Sequence, residues 1–211
     1  SAKKDNDSVD GETKAILRDA VIAKYGFEFE EDITSSVPRV TYALNYGGWL
    51  KDDVDLYERI YRETDSNCSE EEFKLEREAV KKLFFRAYFD STDNKLAYHT
   101  WDSMIQDGAD KEAVYDDMKN LRRAMETVLG ETRHDNFIFY VESCIYIDTL
   151  YMLLAKGYKV WLVYDCFYGS GVGSEEEFKR LVQDAVWISF VRFKFAYDFD
   201  EWESIFKEKN E

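Results

Sequence analysis

Two aspartates stand where strands are expected to end. Asp32 closes FEFEEDI, in which aromatic and acidic residues alternate as in a half-buried strand. Asp165 closes KVWLVYD, which reads as a buried strand that turns at Cys166 into FYG. Carboxylates at the ends of neighbouring strands can converge on a divalent cation, and hard oxygen donors suit Mg²⁺. Two such ions about 4 Å apart can clamp the attacking and leaving oxygens of phosphoryl transfer. Spacing alone favours plainer roles, with Asp32 capping the next helix and Asp165 serving as a turn residue.

A second group lies between them. Arg77, Lys81, Phe85 and Phe89 follow one another at four-residue steps, so they line one face of a helix over three turns. Guanidinium, ammonium and then aromatic rings suit a triphosphate followed by a base or sugar. The plainer alternative is an amphipathic helix with a solvated charged end and rings in the core. Composition alone favours that alternative.

Other chemistries find little support. His99 and His134 are far apart and fall in different expected helices, which argues against a zinc site or a histidine triad. Cys68, Cys144 and Cys166 are odd in number without a C-x-x-C spacing, and read as reduced thiols of a cytosolic protein. GSGVGS is the one glycine-rich loop, but no Lys-Ser/Thr follows it, so it is not a P-loop.

The elements that must position these residues follow from periodicity and punctuation. Ser1 to Gly11 is a polar lead-in, and the missing initiator Met suggests a processed chain or a fragment. Helices are expected over 12–24, from Ser35 or Ser36 (as cap) to Tyr46 with Pro38 in the first turn, over 52–62, and over 70–88. The last has Phe73, Val80, Phe84 and Ala87 on its apolar stripe. Further helices are expected near 94–106, 109–129, 135–155 and 175–186, and WISFVRFKFAY alternates as a strand. No run of about 18 apolar residues occurs, which argues against a transmembrane helix; Glu142 and Asp148 interrupt the aromatic-rich 135–155 segment, which reads as core. The 15 Tyr, 15 Phe and 5 Trp can bury enough surface to exclude a disordered chain. The expected class is α+β: seven or eight helices with a few strands in one small antiparallel sheet.

In this order the motifs resemble the core of the A-family nucleic-acid polymerases, the group holding DNA polymerase I and the single-subunit phage and mitochondrial RNA polymerases. The family's motif A is a strand ending in a metal-binding Asp, with an Arg seven residues on in the following helix. Asp32-Ile-Thr-Ser-Ser-Val-Pro-Arg39 is similar to it. A short helix opening with Asp and an aromatic or His residue resembles Asp55-Leu-Tyr57. Motif B resembles Arg77, Lys81, Phe85 and Phe89, and motif C resembles Val163-Tyr164-Asp165-Cys166-Phe167. The family carries a polar residue on the helix before motif C, a place similar to that of Glu142. The likeness covers roughly residues 25 to 190. Departures are Tyr164 for the usual His, Cys166 for Glu or Ser, and Phe89-Asp90 for Tyr-Gly. Val37 stands where DNA polymerases keep a Glu that excludes the ribose 2′-hydroxyl, which leaves DNA or RNA synthesis open.

The resemblance implies a right-hand fold without a thumb: a lead-in over 1–11, palm with motif A over 12–66, fingers-like helices over 67–133, and palm with motif C over 134–211. It implies two Mg²⁺ held by Asp32 and Asp165, phosphates bound by Arg77 and Lys81, and a leaving pyrophosphate protonated by Lys81. It further implies rings of Phe85 and Phe89 stacked near the incoming base or sugar, a strand-orienting Glu142, and support from Arg39 through pairing with a carboxylate and from Tyr164. The expected partners are a nucleoside triphosphate, template and primer, and another polypeptide or missing region supplying the thumb. The expected compartment is the cytoplasm of a bacterium or phage-infected cell. Rival classes are a catalytically idle binding module on the same fold and an acidic mimic of nucleic acid.

Charge bears on that choice. With 44 acidic against 28 basic residues the net charge is −16, which opposes an unaided grip on a phosphate backbone. Residues 75–99 are the positive exception, with five basic against four acidic, and this island carries Arg77 and Lys81.

Overall fold

The computed structural model describes residues 11–50, 54–64, 67, 69–89, 111–132 and 137–196. The helix expected near 94–106, most of the polar lead-in, His99, His134 and Cys68 lie outside these residues, as does the side chain of Phe89. The described residues form seven helices and three strands. In chain order they are α1 (Gly11–Tyr25), β1 (Phe29–Asp32), α2 (Ser36–Tyr46), α3 (Leu56–Thr64), α4 (Glu70–Phe89), α5 (Lys111–Leu129), α6 (Phe137–Ala155), β2 (Lys159–Val163), β3 (Cys166–Ser170) and α7 (Glu175–Ala196). The α+β class and the single small antiparallel sheet are therefore as expected.

The chain divides into two compact units. One comprises Ser1–Asp32 and Tyr146–Val186, the other Ile33–Ile145 and Trp187–Glu211.

The first unit holds the sheet, in the order β1-β3-β2, with both pairings antiparallel. Val163 pairs with Cys166, leaving Tyr164 and Asp165 as a two-residue hairpin turn. The sequence reading stopped at this turn and did not see that CFYGS returns as β3, the central strand. Its first four residues are buried, so the alternation that marks a half-exposed strand is missing. Side chains alternate across the sheet, so Glu30, Asp32, Cys166, Tyr168 and Trp161 share one face. Phe29, Glu31, Phe167 and Gly169 share the other. On that second face Phe178 of α7 stacks 6.1 Å from Phe29, and Tyr146 of α6 meets Phe167 edge-on at 5.9 Å. Gln183 of α7 donates to buried Glu31 at 2.7 Å.

The second unit is helical. α3 packs on α4 and α5, and α2 on α3 and α5. The stripe expected on α4 is found: Phe73, Val80, Phe84 and Ala87 are all buried. Arg122 of α5 donates to the carbonyl of Ala87 at 3.2 Å, answering an end-of-helix acceptor of α4. Asn45 of α2 donates to the carbonyls of Leu129 and Thr132, which does the same for α5.

One expected element is corrected. Trp187 to Ala196 continues α7 and does not form the strand read from WISFVRFKFAY. Val182, Val186, Ser189, Phe190 and Phe193 are buried at helical steps, while Trp187 and Phe195 are exposed. Alternation of aromatic and polar residues over so short a stretch satisfies both periods, and burial decides for the helix. α6 also qualifies the reading from apolar runs. Its mean hydropathy of 1.5 makes it, by length and composition, long and apolar enough to cross a membrane. Phe137, Ile138, Val141, Ile145 and Leu153 along it are nonetheless almost fully buried.

Gly169 is required by close approach. A Cβ at that position would overlap the ring of Phe178, which is itself 1% exposed. Gly169→Ala should lower unfolding stability by about 1–3 kcal/mol through overpacking. A urea midpoint equal to wild type would show that α7 can withdraw from the sheet at no cost.

Candidate functional site

The register of β1 on β3 decides where the two aspartates lie. Asp32, the last residue of β1, pairs with Cys166, the first of β3. Asp165 immediately precedes Cys166 in the hairpin turn. Both strand-end carboxylates therefore stand at the same end of one sheet, on neighbouring strands. Asp32 is exposed and Asp165 half-buried. The helix cap after β1 is not Asp32: Ser35 holds the N-cap position of α2. Asp165 does sit in a turn, and the two-residue hairpin is what carries it to the tip of the sheet. Tyr164 shares that turn at a φ of 57°, a left-handed conformation unfavourable for a tyrosine, and its ring is 87% exposed.

Cys166 is buried at the start of β3. Its thiol lies 3.5 Å from Glu30 Oε1, an acceptor it shares with the Tyr168 hydroxyl at 3.4 Å. Burial, with the neighbouring Glu30 and Asp32 charges adding to it, pushes the thiol up to about 12. Burial likewise raises the Tyr168 phenol. Both groups hold their protons at neutral pH.

The oxygen donors on offer fit Mg²⁺ in kind. Such an ion keeps several waters and needs one or two carboxylates, completing its shell from substrate phosphates. Asp32 and Asp165 supply two. Among the described residues no group of three or more His, Cys, Asp and Glu gathers as a ready cage.

In the helical unit Arg77, Lys81 and Phe85 form a half-buried stripe on α4, beside the buried one. Phe85 meets Phe84 edge-on at 5.7 Å. Arg77 Nε donates to Asp55 Oδ2 at 2.6 Å, and its guanidinium lies 5.7 Å from the centre of the Tyr57 ring. Ser36 donates a very short hydrogen bond to Glu142, so the α6 carboxylate expected to orient a strand is engaged with the start of α2.

Arg39 lies inside the helical unit. It is 1% exposed, and its described bonds go to backbone carbonyls: Nε to Thr34 at 3.0 Å, Nη1 to Leu50 at 2.6 Å, Nη2 to Val54 at 2.9 Å. The guanidinium thus gathers carbonyls from before α2 and from before α3. Ser35, one of the two caps the sequence offered, takes the N-cap position of α2, but its link to Asp55 was not foreseen. Its hydroxyl makes no cap bond to α2, but donates to Asp55 Oδ1 at 2.6 Å and accepts from the Leu56 amide at 3.1 Å. The available signal was the Asp55 at the start of an amphipathic helix, which marks an N-cap.

No protein-family model, no curated protein and no solved structure matches this chain.

Two expectations follow. Arg39→Met removes the donors from three carbonyls and should cost about 2–4 kcal/mol, read from urea unfolding; a loss below about 0.5 kcal/mol would mean that water replaces the guanidinium. For Cys166, a raised thiol means that the folded state holds its proton more tightly than the unfolded chain. The stability this contributes is complete below the unfolded value near 8.5 and is lost as pH rises toward the folded value. Wild type should therefore lose stability between about pH 8.5 and 10, and Cys166→Ala should lose less. An identical loss in the two proteins would refute the assignment to Cys166.

Proposed function

We propose that the chain is the palm-and-fingers core of a template-directed nucleotidyltransferase, a DNA or RNA polymerase of the A-family type. The observation that carries this reading is the pairing of Asp32 with Cys166, which brings two strand-end carboxylates to one end of an antiparallel sheet. The chain order of the strand ending in Asp32, the α4 helix with Arg77 and Lys81, and the β2–β3 hairpin with Asp165 supports the reading.

In this reading Asp32 and Asp165 offer carboxylate oxygens to Mg²⁺. When bound, that ion supplies Lewis-acid stabilisation of charge on the reacting phosphate. The primer 3′-oxygen bonds to the α-phosphorus as the bond to the β-phosphate breaks, releasing pyrophosphate and the hydroxyl proton. Arg77 takes non-bridging phosphate oxygens through paired N–H groups. Lys81 donates a proton to the departing pyrophosphate. Phe85 and Phe89 offer stacking surfaces for the base or sugar, and Glu142 orients the template or primer strand. Val37 is 6% exposed on α2 and carries no carboxylate to read a 2′-hydroxyl. A basic partner polypeptide holding the nucleic acid fits a chain of net charge −16.

One observation favours a second reading, a catalytically idle module on the same fold. The residue beside Asp165 is a buried, protonated thiol where the family keeps a ligand or hydroxyl.

Primer extension on DNA and RNA templates with each nucleotide set, with and without candidate partners, separates the two. Asp32→Asn and Asp165→Asn should each lower incorporation by at least about 100-fold while the urea midpoint stays near wild type. Activity that survives in either variant would sink the two-carboxylate assignment. Mg²⁺-dependent nucleotide binding without incorporation would select the idle module.

A further inference from the structure

Arg77 is held in a socket that belongs to α3. Asp55 is the N-cap of that helix: its Oδ1 accepts from the Tyr57 amide at 2.9 Å and from the Ser35 hydroxyl at 2.6 Å. Two donors fixed to backbone elements thus hold one carboxylate oxygen, and the other accepts Arg77 Nε at 2.6 Å. The Tyr57 ring lies against the guanidinium at 5.7 Å. Nitrogen and ring fix both the place and the plane of the arginine head group.

The manner of this grip matters. Asp55 engages the inner Nε and leaves the terminal amino groups, the fork that binds two phosphate oxygens in parallel. Among the described residues the carboxylate beside that fork is Glu78, 3.7 Å from Nη1 and 73% exposed, a contact easily exchanged for a ligand. Were Asp55 to take the whole fork, it would compete with phosphate. Held side-on, the arginine is already ordered before a ligand arrives, so binding does not have to freeze a long side chain.

We infer that Asp55 is a positioning residue for Arg77, setting the guanidinium fork for the phosphates of a nucleoside triphosphate with the help of Ser35 and the Tyr57 ring. This rests on the reading of Arg77 as a phosphate ligand. The charge state supports it: burial acts to raise the Asp55 carboxyl, but the Ser35 and Arg77 hydrogen bonds and the Arg77 charge hold it below the usual carboxylate range. The pair is ionised at any pH where nucleotide binding would be measured.

The test is calorimetric binding of Mg²⁺–ATP and Mg²⁺–dATP to the full chain and its variants, with urea midpoints measured alongside. Asp55→Asn should weaken the tighter of the two by about tenfold, and Asp55→Glu, which restores the charge, by no more than about threefold. The double variant Asp55→Asn/Arg77→Ala should bind no more weakly than Arg77→Ala alone. Ser35→Ala, which keeps the Asp55–Arg77 pair, should lose stability with a smaller change in affinity. If Arg77→Ala weakens binding while Asp55→Asn binds as tightly as wild type or tighter, the inference is overturned and the reading of Arg77 stands. If Arg77→Ala leaves affinity unchanged, or wild type binds neither nucleotide, the reading of Arg77 falls and the inference with it.

Discussion

A buried guanidinium sets the geometry of the helical unit. Arg39 is among the largest fully buried side chains, and a cation so placed is stable only if its N–H groups find acceptors. It finds them on the turn before α2 and on the segment leading to α3, at Thr34, Leu50 and Val54. The carbonyls must point inward to meet it, which fixes where Thr34, Leu50 and Val54 stand. Val54 is the residue before Asp55, and Thr34 the residue before Ser35. The charge that organises the two loops therefore also brings the Ser35 hydroxyl onto the Asp55 carboxylate. Ser35 is held at a φ of 55°, a left-handed conformation that costs about 1 kcal/mol for a non-glycine residue and persists where surrounding bonds demand it.

In the sheet unit the corresponding constraint is register. A slip of one residue between β1 and β3 would move Glu31 off Gln183 and Phe29 off Phe178. It would also set Asp32 against a different partner. The packing against α7 thus fixes, at a distance of several residues, which residue of β3 stands opposite Asp32. Gly169 contributes by being absent as a side chain: the first turns of α7 can lie on the central strand only because nothing projects there.

How much of this was legible in the sequence depends on range. Helices with an apolar stripe and a stop residue were readable, and α4 with Phe73, Val80, Phe84 and Ala87 is the clearest case. β1 and β2 were readable because their residues alternate or run apolar between turn signals. β3 was not, because a central strand buried on both faces has no period to detect, and its Gly169 resembles the loop that follows. The second half of α7 was misread because a ten-residue aromatic stretch fits either period until burial is known. Among candidate site residues, Asp32 and Asp165 were found by position at strand ends, whereas their shared end of the sheet needed the register. The Ser35–Asp55–Arg77 chain joins residues 20 and 22 apart, a range at which local pattern carries no information.

The placement of Asp32 and Asp165 bears on what the sheet is for. They stand at one end of the sheet, Asp32 at the end of β1 and Asp165 in the turn that leads into β3. Here the hairpin carrying Asp165 is as tight as a hairpin can be, and it accepts an unfavourable φ at Tyr164 in being so. Packing alone does not call for a tyrosine in that conformation with its ring in solvent. The two-residue turn itself requires a left-handed residue, and this accounts for the φ of Tyr164. Under the proposed function, the −16 charge opposes an unaided grip on nucleic acid and favours a division of labour in which another polypeptide supplies the basic grip.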